Sequence, residues 1–269
     1  MNSILQYLKL VRFKNLIIIV LVQCLLKFTL INVYLDSTAL SLINFIIYLF
    51  TLIFIVAGGY IINDIYDLEI DKINKKNNQI IDNTISKDSA HKTYYVLNFL
   101  SLVGAFYVAS NIENIWLVLI FIYLIFSLWI YSKKYKKTLI LGNIQVAFLT
   151  ALSIYNLAIY DILHISKYSE GTYMIHIIII AFSLFSFIIT FVREIVKDIE
   201  DIEGDNKFKS NTLPIIYGIT YAKKVTVIFV IITLLIILIP PIIYYHSKNS
   251  NTEISEELYT VAGGCIIGQ

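Results

Sequence analysis

Cysteine is almost absent from this chain. Its two cysteines, Cys24 and Cys265, sit in apolar surroundings with no metal-ligand spacing, which argues against a disulfide framework and a thiolate metal site. Histidine is as sparse: His91, His164, His176 and His246 are scattered and read as structural or interfacial groups. Charge is the third scarcity. Only 15% of residues are charged against 58% hydrophobic, with a mean hydropathy of +0.76. A soluble domain of 269 residues could not hide that much apolar surface, and a net charge of +2 gives no footing for a nucleic-acid partner. Also missing is the pattern of short alternating segments that a strand-built barrel needs. The first apolar run carries no small-residue cleavage signal, so it reads as a span and not as a removed signal peptide.

What the chain has is long apolar runs. They cover about residues 13–34, 40–62, 93–111, 115–131, 138–160, 173–193 and 222–245, and a further one begins near Leu258. Each suits a helix crossing a ~30 Å hydrocarbon layer. The expected fold is an all-α, polytopic transmembrane helical bundle, a single domain over residues 1–269. Pro240-Pro241 is expected to break or kink the seventh span near its outer end. The last run ends at Gly263-Gly-Cys-Ile-Ile-Gly-Gln269 without a polar flank, so a C-terminal truncation inside the eighth span is expected. Orientation follows from basic residues: of the 21, only Lys27, Lys167 and Lys248 fall outside the loops on the N-terminal side or their half of a span. That bias predicts an integral membrane protein of the cell (plasma) membrane with a cytoplasmic N-terminus.

The same bias puts two polar loops on one face, and both are acidic. The first opens in Gly58-Gly-Tyr-Ile-Ile-Asn-Asp-Ile-Tyr-Asp-Leu-Glu-Ile-Asp71. If the helix continues, Asn63, Asp67 and Asp71 fall at i, i+4 and i+8 and stack along one face. Three oxygen-bearing side chains at the mouth of a membrane helix suit a hard divalent cation such as Mg²⁺. The plainer reading is a solvated loop start, but acids at the edge of hydrocarbon are costly without a role. The second loop reads Arg193-Glu-Ile-Val-Lys-Asp-Ile-Glu-Asp-Ile-Glu-Gly-Asp205. Here Arg193, Lys197, Asp201 and Asp205 recur every four residues, and Asp198 adds a carboxylate. By itself this is equally a salt-bridged helix end.

Taken together the loops say more than either alone. Two carboxylate patches facing one cavity repel unless cations lie between them. Metal ions bridging to a diphosphate would satisfy both, with Arg193, Lys197 and Lys133 available for phosphate oxygens. Those charges would also ease departure of a diphosphate. A diphosphate leaving inside a membrane implies an allylic, lipid-soluble donor. Tyr60, Tyr66, Tyr131, Tyr155 and Phe191 are candidate ring faces for the cation left behind.

At this point the residues resemble the UbiA superfamily of intramembrane prenyltransferases. Its pattern, Asn-x-x-x-Asp-x-x-x-Asp after the second span and Asp-x-x-x-Asp after the sixth, is met by Asn63, Asp67, Asp71 and by Asp201, Asp205. Arg12 and Asn15, Tyr131-Ser-Lys133, Gly142-Asn143 and Thr212-Leu-Pro214 extend the likeness along the chain. The resemblance implies nine spans around a central cavity and Mg²⁺-dependent prenyl transfer from a diphosphate to an acceptor. It makes Asp67, Asp71, Asp201 and Asp205 the catalytic set, with Asn63, Asp64 and Asp198 as further metal ligands or their supports. The second loop looks most like the branch whose acceptor is geranylgeranylglyceryl phosphate, an ether lipid. Besides donor and acceptor, the implied partner is the bilayer, and no obligate protein partner. Where the family often has Gly, four residues after the last acid, this chain has Lys209, so a different turn is expected there. Two rivals stay open: an aromatic acceptor such as 4-hydroxybenzoate or a naphthoate, and a cation-coupled transporter. The transporter is disfavoured because its ionisable groups belong at mid-membrane, whereas spans three to five hold no acids.

Overall fold

The computed structural model describes residues 3–35, 37–74, 80–162 and 170–249. Among them the chain is helical apart from turns and one isolated bridge between Ile81 and Ile85. The helices are α1 (Ser3–Leu10), α2 (Phe13–Leu25), α3 (Asn32–Tyr34), α4 (Leu42–Tyr66), α5 (Leu68–Asn74) and α6 (Lys87–Asn111). Then come α7 (Val118–Lys133), α8 (Leu141–Asp161), α9 (Glu170–Glu200), α10 (Ile202–Lys207), α11 (Leu213–Tyr217) and α12 (Ile219–Asn249). Within the described residues 7 helical segments are long and apolar enough to cross a membrane, one at each expected run. This is an integral membrane protein with an all-α, polytopic bundle. The expected eighth span lies outside the described residues.

Two spans are longer than their apolar cores. The third starts at Lys87 because Ser86 caps it, its hydroxyl accepting from the Ser89 amide at 3.2 Å. The sixth runs on to Glu200, which carries Lys197 and Asp198 on helical backbone. Hydropathy sees neither extension, since both are polar helix outside the hydrocarbon. The seventh shows no break at Pro240-Pro241: helical backbone continues to Asn249. Spanning helices tolerate proline where neighbouring turns adjust to the lost hydrogen bonds.

Helix α4 packs against α6 and α7, α8 against α9, and α9 against α12. The α4–α6 approach is close enough that a Cβ on Gly104 would meet Thr51 Oγ1 at 2.3 Å, so only glycine fits there. One half of the bundle is filled by rings. Tyr48 is wholly buried against Phe121 and Tyr160, with centroids 6.1 and 5.3 Å away. The other half, beneath the acidic ends, is closed by Leu10, Ile61, Ile65 and Tyr94.

At the end of the bundle away from the acids, α2 passes through a π-helical stretch, Leu26–Ile31, that carries Lys27. Lys27 is 2% exposed and Asp161 0%, with Nζ 2.6 Å from Oδ2. The ammonium also donates to Thr38 Oγ1 at 3.0 Å and to the Leu40 carbonyl at 2.9 Å. The Leu40 amide in turn donates to Asp161 Oδ1 at 2.7 Å. Lys27, an exception to the basic-residue count, is therefore no topological signal at all. It is the centre of a knot that ties α2, the 38–40 turn and α8 together.

Candidate active site

The two acidic segments come together as the sequence requires. The backbone keeps its i to i+4 bonds through each, Asp67 N to Asn63 O at 2.9 Å and Asp71 N to Asp67 O at 2.8 Å. The second segment repeats this, Asp201 N to Lys197 O at 2.9 Å and Asp205 N to Asp201 O at 3.0 Å. At the central acid of each, the backbone relaxes to nearly the same conformation: φ −90°, ψ −1° at Asp67 and φ −89°, ψ 7° at Asp201. That region is sparsely populated and common in active sites. The short helices that follow, α5 and α10, pack on each other and so bring the clusters into one site.

Read in this register the segments are an internal repeat. Asn-Asp-Ile-Tyr-Asp-Leu-Glu-Ile-Asp (63–71) lies over Lys-Asp-Ile-Glu-Asp-Ile-Glu-Gly-Asp (197–205). Their supports repeat as well. Asp64 receives the Arg12 guanidinium at 3.0 Å, and Asp198 receives the Asn143 amide at 2.8 Å. Arg12 reaches Asp64 from a left-handed backbone, φ 51°, between α1 and α2, and its guanidinium also lies 4.6 Å over the Tyr60 ring. A non-glycine residue there is strained, and such strain clusters at functional sites. Asn143 was visible in the sequence only as part of a likeness; aligning the two segments is the signal that singles it out.

Between the clusters stands a residue that the sequence did not distinguish. Lys136, in the 3₁₀ turn Tyr135–Lys137, bonds to Asp67 Oδ2. Burial works against its ammonium, but the carboxylates of Asp67, Asp71 and Asp201 outweigh burial, and the lysine pKa is raised. Burial also raises the Asp205 carboxyl, with Lys136 pulling the other way. Lys133 is elsewhere: its ammonium lies 4.7 Å over the Trp129 ring, away from the acids. The lysine turn is seated on Gly142, where a Cβ would meet the Tyr135 carbonyl oxygen at 2.5 Å. From the second loop Lys197 comes within electrostatic reach of Lys136, Glu194 and Asp67. Arg193 is 60% exposed and pairs weakly with buried Glu194 at 3.6 Å.

Asn63 offers a donor to the same site. Its Nδ2 donates to Asp67 Oδ2 at 2.7 Å, while its buried Oδ1 has no hydrogen-bond partner. A buried orphan oxygen beside a carboxylate is a donor set for a hard cation. Among the described residues no three acidic or imidazole groups converge on a single ion-sized point. At the position where a different turn was expected, Lys209 takes φ 55°, a left-handed conformation that glycine adopts at least cost.

Several known proteins have similar chains. Digeranylgeranylglyceryl phosphate synthase of Methanobrevibacter smithii is 34% identical over 176 residues, 65% of this chain and 59% of the relative. The enzyme of that name from Sulfurisphaera tokodaii is 38% identical over 165 residues, 61% of this chain and 54% of the relative. The chain thus spans little more than half the length of these relatives. A solved structure from work on digeranylgeranylglyceryl phosphate synthase in membranes is 28% identical, with a TM-score of 0.62 over 91% of this chain and 79% of that one. The pattern of the UbiA prenyltransferase family matches residues 25–250, a stretch that takes in both acidic helix ends, and this chain belongs to that family.

Proposed function

We propose that this chain is a Mg²⁺-dependent prenyltransferase that moves a geranylgeranyl group from its diphosphate to geranylgeranylglyceryl phosphate. The observation that carries the reading is the meeting of the two acidic helix ends around one partly buried lysine. The named relatives support the choice of acceptor. The positive-inside bias of the basic residues supports placing this end of the bundle in the cytoplasm.

Asn63, Asp67 and Asp71 would hold one Mg²⁺, and Asp201 and Asp205 the other. The orphan Asn63 oxygen and the all-oxygen donor set fit that ion. Ions held there would supply positive charge that stabilises a departing diphosphate. The rest falls to the protein. Arg12 and Asn143 hold Asp64 and Asp198, fixing the backbone from which the inner acids project. Lys136 balances the acids before the donor arrives, and the phosphate oxygens then take it over, with Lys197 and Arg193 as further cations. Lys133, seated on Trp129, stands outside that set. Tyr131, buried with Asp67 and Glu194 in electrostatic reach, is the ring best placed beside the reacting carbon.

Purified protein with Mg²⁺ and labelled geranylgeranyl diphosphate, offered geranylgeranylglyceryl phosphate, 4-hydroxybenzoate and a naphthoate in turn, tests the reading. Transfer to the ether lipid is expected. Transfer only to an aromatic acceptor would overturn the acceptor, and transfer to none would overturn the enzyme reading. Lys136→Ala is expected to raise the donor KM roughly 10- to 100-fold, the worth of one or two charge-assisted hydrogen bonds. Gly142→Ala should act in the same direction, by about 10-fold, because its methyl lifts the turn that carries Lys136. A Gly142→Ala protein with normal donor KM would show that the turn does not position the lysine.

A further inference from the structure

On the outer face of the bundle, α4, α6 and α7 leave a groove of about 370 Å³ that the site above does not use. At the acid end it is walled by Tyr66, Tyr94, Trp129 and His91, and it closes against Leu102 and Ile122. We infer that this groove binds one hydrocarbon chain of an anionic membrane phospholipid, with the lipid phosphate at Lys133 and His91.

Length argues first. His91 and Leu102 are roughly 16 Å apart along α6 at ~1.5 Å per residue. That is about half of the ~30 Å hydrocarbon layer, the depth of one leaflet. The groove therefore starts at the headgroup level and stops at the midplane. Volume argues next. A volume of 370 Å³ lies within the ~300–1,000 Å³ range of small-molecule sites. The walls are ordered ring contacts: Phe126 and Trp129 centroids are 5.8 Å apart, and His91 stacks on Tyr95 at 6.3 Å. They face outward, with Tyr66 40% and Phe126 55% exposed.

Charge selects the headgroup. Lys133 is exposed and lies over Trp129 at the groove mouth, and His91 is in the lining itself. The nearby acids are Asp88, one turn before His91, and Glu69, which Lys72 already engages at 2.6 Å. A cation held over an indole at headgroup depth offers a phosphate a partner that a zwitterionic surface does not need. This inference is independent of the prenyl-transfer reading.

Tryptophan fluorescence tests it directly. The chain has 2 tryptophans, and Trp116 stands in the 3₁₀ turn at the far end of α7, so Trp116→Phe leaves Trp129 as sole reporter. That protein is titrated in mixed micelles with chain-brominated phosphatidylglycerol or chain-brominated phosphatidylcholine. Quenching is expected to saturate with the anionic lipid at a mole fraction at least five-fold below that for the zwitterionic one. Lys133→Ala with His91→Ala should erase the difference, and Leu102→Phe should weaken quenching by both lipids. Linear quenching that is equal for the two headgroups in the unaltered groove would overturn the proposal, whatever the variants do.

Discussion

Asp67→Ala is expected to lower prenyl transfer by about 10³-fold, and Asp201→Ala by a similar factor. Each removes one carboxylate from the site proposed to stabilise a leaving diphosphate, an effect of several kcal/mol. Asp67 has the larger burden. It is 2% exposed, accepts from Asn63 at 2.7 Å and is the carboxylate that Lys136 bonds. Its loss removes a ligand and also releases the lysine. Asp67→Asn should fare little better, because the amide keeps the size but not the charge. The measurement is initial rate with labelled geranylgeranyl diphosphate in detergent, alongside a melting curve to show that the bundle stands. Both alanine variants keeping a tenth of the parent rate would remove the metal assignment. Loss on replacing Asp67 alone, with Asp201 dispensable, would reduce the two-ion site to one.

The second large effect lies at the opposite end. Asp161→Ala should cost about 3–5 kcal/mol of stability, because it strands the Lys27 ammonium in an apolar interior. Thr38 and the Leu40 carbonyl remain as partners, but neither carries charge. Melting in detergent should fall by on the order of 10 °C. The double variant Lys27→Met, Asp161→Leu should recover most of that loss, since well-packed apolar pairs often match a buried ion pair. At low temperature the single variant should still turn over, because the knot lies at the other end of the bundle from the acids. An Asp161→Ala protein as stable as its parent would show that the pair contributes nothing. A double variant no better than the single one would show that packing, not the stranded charge, was lost.

A chain can announce its spans because the requirement is local. An apolar run either reaches across ~30 Å or does not, and each of the seven expected runs within the described residues became a membrane-length helical segment. The acidic motifs were legible for the same reason. Helical spacing is a period of 3.6, so Asn63, Asp67 and Asp71 had to share a face, as did Asp201 and Asp205.

Tertiary structure decided the pairings. Lys133, Lys134, Lys136 and Lys137 are equivalent as composition, and a 3₁₀ turn offers no period from which to choose among them. Only the seat on Gly142 points Lys136 at Asp67 and leaves Lys133 on Trp129. Arg12 looked like a topological charge until its own left-handed backbone between α1 and α2 turned it onto Asp64. Lys27 counted against the orientation rule until α8 delivered Asp161 to it from 134 residues away. By itself the sequence determined where the seven described spans lie, and which acids face the same way, because both follow from spacing along one strand of backbone. Which cation meets which acid depends on how helices cross, and that is a property of packed surfaces rather than of any local stretch of chain.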